Sequence, residues 1–367
     1  MELMLANLAF AEDSEQTSLF SGADAGMPER VARYPKFRYM GSKANLLPWI
    51  AGVLSGIDFQ SAWDPFAGSS AVAYLLKAMD KRVVVSDFLN FPVVISKALI
   101  ENPGRHLDGR TLRALLKDTK PEHCFIEKTF SGIFFAPEDL RFLDRISCNI
   151  RSIDDPHLQA VAMTALLRSC LKKQPRGVFT ISGDLSNYDD GRRDLRLSIE
   201  EHFLEQLNEI HGACFDNGRR NRALRGNVFE IDPPQVDLVY LDPPYVPRSD
   251  DNCYIKRYHF LEGLSCYWQG VEIDYTTKTR KIAKRFTPFS YRSHAIEAFD
   301  RLFRVMQNKK IVLSYSSNAY PNLEELQSLM GRYKQRVQVF SKAHRYHFGT
   351  HDAVKRALTT EYLIVGQ

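Results

Sequence analysis

The chain has 367 residues, of which 44% are hydrophobic and 25% charged, so it can form one large domain with an insertion or two domains. Its composition is that of a soluble globular protein, and no apolar run approaches the length of a bilayer span. The net charge of +5 permits a polyanionic partner without requiring one. Six cysteines without a C-x-x-C pair argue against a structural zinc site or a disulfide framework, and favour a reducing cytoplasm.

Residues 1–30 are predicted to form a flexible leader. The first 29 residues contain several acids, no Lys or Arg, and only a short apolar stretch. A secretory signal begins with basic residues, so none is expected here.

From Trp49 onward, short apolar runs rich in β-branched residues alternate with longer stretches typical of helices. This alternation predicts an α/β fold in which helices flank a parallel sheet. Five buried strands are predicted, at residues 61–63, 82–86, 236–241, 310–315 and 361–365. Polar or Gly/Pro-containing segments follow the first four strands, and the carboxyl ends of such strands are where open sheets bind ligands.

Between residues 105 and 219 the alternation of strands and helices stops. Helical stretches at 112–117, 136–149 and 157–172 are followed by a polar segment at 174–193. We interpret residues 105–219 as an inserted, mainly helical domain. Residues 31–104 and 220–367 are then expected to form the sheet domain.

Residues 62–72, AWDPFAGSSAV, predict the end of a strand, a turn of small residues and the start of a helix. Small residues let a ligand approach the backbone, and the first turn of a helix offers free N–H groups. Asp87 ends the next strand, where a carboxylate is suited to binding ribose hydroxyls. Together these features indicate a nucleoside-containing cofactor, although a simple tight turn also explains the glycine segment. Only one glycine of the G-x-G-x-x-G pattern is present, which disfavours a dinucleotide as the bound cofactor.

The strongest motif is Asp242-Pro243-Pro244-Tyr245, which directly follows an apolar strand. The prolines end the strand and stiffen the loop, and their lack of N–H groups leaves a carboxylate and backbone carbonyls as acceptors. Such acceptors suit an aromatic amine. Hydrogen bonds from its two N–H groups to these oxygens favour a pyramidal nitrogen whose lone pair faces a methyl donor. Tyr245 is suited to stacking on a base that has left the duplex. The alternative is a rigid strand exit with a packed tyrosine.

Three motifs, taken in order, resemble those of the Dam-like alpha class of S-adenosylmethionine-dependent DNA adenine-N6 methyltransferases. They are RYMGSK at residues 38–43, DPFAG at 64–68 and DPPY at 242–245. The resemblance covers most of residues 35–367. It implies a Rossmann-like methyltransferase sheet with the insertion, residues 105–219, as a mainly helical target-recognition domain.

The resemblance also implies roles for individual residues, and a mechanism that needs no metal. The implied catalytic residues are Asp242, Pro243, Pro244 and Tyr245. The implied contacts to S-adenosylmethionine are Tyr39, Met40, Gly41, Lys43, Asp64, Phe66, Gly68, Ser69, Ser70, Asp87, Phe88, Asn227, Val228 and Asp242. Taken alone, Lys43 is equally well explained as a solvated charge, and Asn227 as a turn residue.

Some positions depart from the family pattern. The family commonly has Glu where this chain has Asp64, and glycines where it has Ser69 and Ser70, but serine is small enough for close approach. Asn227 stands where the family usually has an Asp that meets the adenine amino group of the cofactor, and it keeps an acceptor without the charge. Residues 311–318 resemble the strand and turn that wall the target-base pocket, or form a plain strand and turn.

Basic residues cluster at 219–225, at 278–285 and, with aromatic residues, at 254–258. Because phosphate contacts supply much of the affinity for DNA, these clusters are candidate contacts to double-stranded DNA, or else solvated faces. The insertion carries further basic residues where the family has its recognition domain. They are Arg168, Lys172, Lys173, Arg176, Arg192, Arg193 and Arg196.

The leading hypothesis is methylation of adenine N6 in duplex DNA after base flipping, in a bacterial or phage cytoplasm, with a cognate restriction endonuclease on another chain as a candidate partner. Cytosine N4 and protein amides are less favoured, because many such enzymes have Ser or Asn, respectively, in place of Asp242. Methylation of RNA adenine stays open. A DNA-binding or regulatory protein that retains the fold without turnover also stays open, given Ser69, Ser70 and Asn227.

Overall fold

The structure, a computed structural model, describes residues 27–121, 123–180, 191–246, 254–345 and 358–367. The strands within these ranges are β1 (Ser61–Asp64), β2 (Arg82–Asp87), β3 (Arg222–Arg225), β4 (Leu238–Leu241), β5 (Ile273–Asp274), β6 (Lys281–Ile282), β7 (Lys310–Ser316), β8 (Val337–Arg345) and β9 (Leu358–Gly366). Seven of them form one sheet in the order β3-β2-β1-β4-β7-β9-β8, while β5 and β6 form a separate hairpin.

The five strands predicted from apolar runs are confirmed as β1, β2, β4, β7 and β9, with β4 beginning two residues later than expected. Within the large sheet, the neighbouring strands β3, β2, β1, β4 and β7 pair in parallel. In contrast, β9 runs antiparallel to both β7 and β8. Side chains alternate between two apolar cores, one on each face: Ala62 belongs to the first and Trp63 to the second. This alternation on a sheet covered on both faces confirms the predicted α/β architecture.

Two strands of the sheet, β3 and β8, were not predicted. The sequence of β3, RALR, has exposed ends and no apolar run, and it forms a sheet strand because β2 supplies the parallel partner. In β8, which begins VQVF, polar and apolar residues alternate, as is typical of an edge strand with one covered face. Both lie at the edges of the sheet, where a continuous apolar run is not required.

Helices within the described ranges flank the sheet. They are α1 (Leu47–Ser55), α2 (Ala71–Ala78), α3 (Asn90–Ser96), α4 (Gly109–Leu115), α5 (Phe125–Phe130), α6 (Pro137–Arg151), α7 (Pro156–Lys173), α8 (Arg193–Arg196), α9 (Ile199–Ala213), α10 (Tyr254–Cys266), α11 (Arg292–Val305) and α12 (Leu323–Gly331). The three predicted helical stretches correspond to α4, α6 and α7. None of these helices combines the length and apolarity that would let it cross a membrane.

The predicted insertion, residues 105–219, is mainly helical where it is described, and it packs on the first core. Phe130 and Phe179 lie with ring centroids 5.0 and 5.1 Å from Phe260 of α10. The insertion therefore shares its apolar centre with the helices that cover one face of the sheet. A division into domains stays a prediction.

The predicted leader, residues 1–30, lies mostly outside the described residues. Its last residues are attached to the fold, since Glu29–Arg33 forms a 3-10 turn and the Arg30 guanidinium lies 5.2 Å from the ring centroid of Phe215. Of the polar segment 174–193, the structure describes residues 174–180 and 191–193.

Candidate active site

The carboxyl ends of four parallel strands bring the predicted site residues to one edge of the sheet. Asp64 ends β1, Asp87 ends β2, Asn227 follows β3 by two residues, and Asp242 follows β4 directly. Because these strands are parallel neighbours, their carboxyl ends face the same crevice. All four residues line a single pocket there.

The turn between β1 and α2 is held by carboxylates and a glycine. Asp64 accepts a hydrogen bond from the backbone N–H of Phe66 at 3.1 Å, and Asp87 accepts one from Gly68 at 3.1 Å. Gly68 has a φ of +48°, and a Cβ there would lie 2.9 Å from the ring of Tyr39. Glycine is therefore required by both the backbone conformation and the packing of Tyr39.

Asp87 connects the β1 turn with the segment after β3. Its carboxylate also accepts the N–H of Leu89 at 2.9 Å, and its carbonyl accepts that of Gly226, likewise at 2.9 Å. Burial raises the pKa of Asp87 to about 7, against the lowering effect of these backbone N–H groups. The Asn227 side chain accepts the N–H of Phe229 at 3.1 Å, so this residue both stabilises its own turn and lines the pocket.

The N-terminal motif is fixed by a stack of tyrosine rings. The centroid of Tyr39 lies 5.0 Å from that of Tyr258 and 5.6 Å from that of Tyr254, both in α10. The backbone N–H of Met40 donates to the Tyr258 hydroxyl at 2.8 Å. Gly41, with a φ of +78°, lets the chain turn so that Lys43 enters the pocket.

Lys43 joins the N-terminal motif to the segment that follows β4. Its ammonium lies 2.9 Å from a carboxylate oxygen of Asp242, and its side chain is only 4% exposed. Burial raises the pKa of Asp242 to about 6, while the Lys43 charge holds it down. Asp64 is raised further, to a pKa of about 8, by burial and by the neighbouring carboxylates. At neutral pH Asp242 is thus ionised whereas Asp64 is mostly protonated.

Tyr245 is held on several sides. Its hydroxyl donates to a carboxylate oxygen of Glu361 at 2.9 Å, and its ring centroid lies 5.1 Å from that of Tyr315 in an edge-on arrangement. The Lys43 ammonium lies 4.8 Å from the centroid of the Tyr245 ring. Segments near residues 43, 245, 315 and 361 therefore meet at this ring.

The pocket brings together the predicted site residues with one exception. Ser70 is not among the lining residues: its hydroxyl lies 2.8 Å from that of Ser96, and the residue is fully buried behind the turn in a left-handed conformation. Ser69 does line the pocket, and its hydroxyl lies 3.0 Å from that of Ser42. The two serines therefore differ, one facing the pocket and the other packing against α3. The roles of the lining residues stay predictions.

Residues 311–318 form most of β7 and the turn after it, and their role beside a target base stays a prediction. In the part of the chain that the structure describes, none of them lines the pocket. The Tyr315 ring instead contacts the Tyr245 ring edge-on, and its centroid lies 5.4 Å from that of Phe299 in α11.

Several pocket residues were not identified as site residues from the sequence. They include Ser42, Tyr240, Phe286 and Phe289, whereas Tyr254 and Arg285 were predicted only as parts of the basic clusters. Phe286 is 65% exposed at the pocket mouth and follows the basic cluster at 278–285, so an aromatic residue beside a basic run was the available signal.

Many of the basic residues expected to contact DNA have partners within the protein. Arg168 is 5% exposed and pairs with Glu209, so it is not available to read bases. Lys173 donates to the carbonyl of Leu195 at 3.0 Å, and Arg193 pairs with Glu205. In contrast, residues 278–285 reach the pocket mouth through Arg285.

Among the described residues, no group of three or more His, Cys, Asp or Glu side chains has an arrangement that could hold a metal ion. Five free cysteines lie within the described ranges, and Cys253 lies outside them.

Comparisons with known proteins identify relatives along most of the chain. The family described as D12 class N6 adenine-specific DNA methyltransferase matches residues 39–329. The type II methyltransferase M2.HphI of Haemophilus parahaemolyticus is 31% identical over 328 residues, which are 86% of this chain and 93% of that protein. The modification methylase LlaI of Lactococcus lactis subsp. lactis is 25% identical over 312 residues, 81% of this chain and 49% of that protein. This chain thus spans about half the length of LlaI.

Proposed function

Because the chain belongs to the D12 class of N6 adenine-specific DNA methyltransferases, we propose that its pocket binds S-adenosylmethionine and presents an adenine extruded from duplex DNA to it. The resemblance inferred from the sequence motifs is confirmed, and site-specific methylation of adenine N6 in DNA is the activity of this family. The observation that carries the proposal is the 2.9 Å ion pair between Lys43 and Asp242. It joins the predicted cofactor motif to the predicted catalytic loop.

The chemistry of the pocket fits S-adenosylmethionine. Asp87 at the end of β2 is suited to accepting hydrogen bonds from ribose hydroxyls, and the rings of Phe66 and Phe289, 5.7 Å apart, give an apolar wall. Tyr240 also lines the pocket, and its hydroxyl is a polar group that a ligand can contact there. When bound, the cofactor supplies a methyl group activated by its sulfonium charge.

The catalytic loop acts by accepting hydrogen bonds. The Asp242 carboxylate would accept a hydrogen bond from one N–H of the adenine amine and the Pro243 carbonyl would accept one from the other, which directs the nitrogen lone pair towards the methyl group. As the N–C bond forms and the methyl–sulfur bond breaks, the nitrogen would lose one of these two protons. Lys43 keeps Asp242 ionised at neutral pH, so that it accepts rather than donates. Tyr245 stacks on the extruded base.

Duplex DNA is proposed to approach at the pocket mouth. There Arg285 and Phe286 line the opening, and Phe286 stacks on Tyr291 with ring centroids 5.8 Å apart. Lys284 donates to the Tyr291 hydroxyl at 2.9 Å. We call residues 284–286 and Tyr291 the rim. Its cations suit phosphates and its exposed aromatic rings suit bases.

A restriction–modification role is proposed from the names of the relatives, a type II methyltransferase and a modification methylase. In that role the chain protects host DNA from a cognate endonuclease on another chain. The proposal predicts that DNA modified by this protein resists one sequence-specific nuclease. Cleavage of modified and unmodified DNA at equal rates would count against it.

The test is transfer of labelled methyl groups from S-adenosylmethionine to unmethylated DNA, with RNA and protein substrates assayed alongside. Asp242→Ala should reduce transfer by at least about a thousandfold, because the amine loses its charged acceptor. Asp237→Asn is the matched control, since this carboxylate binds the N–H groups of Gln60 and Ser61 at the opposite end of β4.

Single-molecule sequencing of the modified DNA identifies both the base and the target sequence. N6-methyladenine is the expected product. Tight cofactor binding without transfer would instead favour a DNA-binding protein without turnover, and label in RNA alone would overturn the DNA assignment.

A further inference from the structure

Glu361 is a fully buried carboxylate that lies in β9 opposite Ser316 of β7. Burying a charged group is costly unless it is paired and hydrogen-bonded. A glutamate buried in a strand that lies between two others therefore calls for a specific reason at this position.

One contact of this carboxylate is to the catalytic loop. The Tyr245 hydroxyl donates to Glu361 at 2.9 Å, across more than one hundred residues of sequence. A carboxylate acceptor makes such a bond stronger and more directional than a neutral one. With Tyr315 at the ring edge and Lys43 at 4.8 Å from the ring centroid, the hydroxyl contact completes the restraint of the ring.

From these contacts we infer that Glu361 is a positioning residue that holds the Tyr245 ring in the orientation that stacks on the extruded adenine. The inference rests on the proposed function, because stacking matters only if Tyr245 receives the base. Glu361 makes and breaks no bond in the reaction. Its effect comes through geometry, and small misplacements near a reacting group cost up to about a hundredfold in rate.

The competing explanation is that Glu361 only stabilises the fold. Glu262 provides a matched control, because it is also a fully buried carboxylate but accepts the backbone N–H groups of Asn90 and Phe91 at 2.7 and 3.2 Å. It therefore caps α3 and does not line the pocket. Loss of either carboxylate affects stability, whereas only loss of Glu361 should release Tyr245.

The experiment compares Glu361→Gln, Glu361→Ala, Tyr245→Phe, the Glu361→Gln/Tyr245→Phe double variant and Glu262→Gln in the full chain. The DNA is a duplex carrying the target found by sequencing, with 2-aminopurine in place of the target adenine. Fluorescence of 2-aminopurine reports extrusion of the base, calorimetry reports cofactor binding, and steady-state assays on the unmodified duplex give kcat and KM. Thermal melting monitors folding.

We expect Glu361→Ala and Tyr245→Phe to lower kcat about ten- to a hundredfold and to change the 2-aminopurine signal, with cofactor affinity unchanged. Glu361→Gln, which keeps an acceptor oxygen, should recover part of the activity. The double variant should be no worse than the more impaired of its two single variants, since both remove one contact. Glu262→Gln should lower the melting temperature without altering the fluorescence.

Additive losses in the double variant, or an unchanged fluorescence signal in Glu361→Ala, would overturn the positioning role. So would equal effects of Glu361→Gln and Glu262→Gln on every measurement. Failure of the proposed function looks different, because the wild-type protein would then transfer no methyl group to DNA at all.

Discussion

The two sides of the pocket hold their carboxylates in different ways. On the β1–β2 side, both oxygens of Asp87 accept backbone N–H groups from nearby turns. On the β4–β9 side, Asp242 meets the ammonium of Lys43, and Glu361 meets the hydroxyl of Tyr245. Backbone donors are supplied wherever the turn forms, whereas each side-chain partner comes from a distant segment.

This difference implies different tolerance to substitution. On the β1–β2 side an Asp→Asn substitution still offers the backbone N–H groups of the turn an acceptor oxygen. On the β4–β9 side, removing one partner takes away a contact that a charged side chain makes to a distant segment, and such contacts are costly to lose. We therefore expect binding defects from the first side and catalytic defects from the second.

Lys43→Met should have the largest effect. It removes the cation from Asp242 and should lower kcat about a hundred- to a thousandfold. Because the Lys43 charge holds the pKa of Asp242 down, the acidic limb of the pH–rate profile should also move to higher pH. Lys81→Met is the control, since Lys81 lies 4.7 Å from the Phe59 ring centroid and donates to a carbonyl, away from the pocket lining. A pH profile unchanged in Lys43→Met would contradict the pairing.

Asp87→Asn should act on binding instead. The expected result is a dissociation constant for S-adenosylmethionine raised about tenfold, because Asn keeps one acceptor oxygen where Asp has two. At saturating cofactor, kcat should stay close to that of the wild type. Calorimetry and steady-state kinetics measure the two quantities, with Asp237→Asn as a carboxylate control at the other end of the sheet. A large fall in kcat would mean that the two sides do not differ.

The pH dependence of the wild-type protein tests the β4–β9 side without substitution. Burial raises the pKa of Asp242 to about 6, so below that pH the carboxyl is protonated and no longer serves only as an acceptor. We expect kcat, measured at saturating S-adenosylmethionine so that cofactor binding at Asp87 does not contribute, to fall about tenfold for each pH unit below 6. A profile that is flat from pH 7 to 5 would exclude an ionised Asp242 from the reaction.

The rim should give the smallest effect. Phe286→Ala removes an exposed ring at the pocket mouth and should raise the KM for DNA about fivefold, with cofactor binding unchanged. Tyr275→Ala is the matched control, since Tyr275 is also an exposed aromatic residue beside an arginine but does not line the pocket. Equal effects of the two variants would show that the rim has no particular role.

The sequence predicted the local motifs on both sides of the pocket better than the contacts between distant segments, for a physical reason. The turn after β1 and the acid that ends β2 are local patterns of small, polar and β-branched residues, and the structure places them as expected, apart from Ser70. That exception follows from the left-handed backbone of Ser70, which turns its hydroxyl towards Ser96.

Contacts between residues that lie far apart in the chain leave weaker signals in the sequence. The partnership of Glu361 with Tyr245 depends on the order of strands in the sheet, which the chain alone does not reveal. Its only trace was a charged residue at the start of a predicted apolar strand. The edge strands β3 and β8 were missed for a similar reason, because their pairing comes from neighbours rather than from their own apolar content.

The order of the sheet also affects when the enzyme becomes competent during synthesis. In the sheet β9 lies between β7 and β8, although it follows both in the chain. A ribosome delivers the chain from its N-terminus, so β8 has no β9 partner until residues 358–366 emerge. A nascent chain that already contains DPPY but not yet β9 therefore lacks Glu361, which accepts the hydrogen bond of the Tyr245 hydroxyl. We expect translation of β9 to be the step after which the protein can begin to modify DNA.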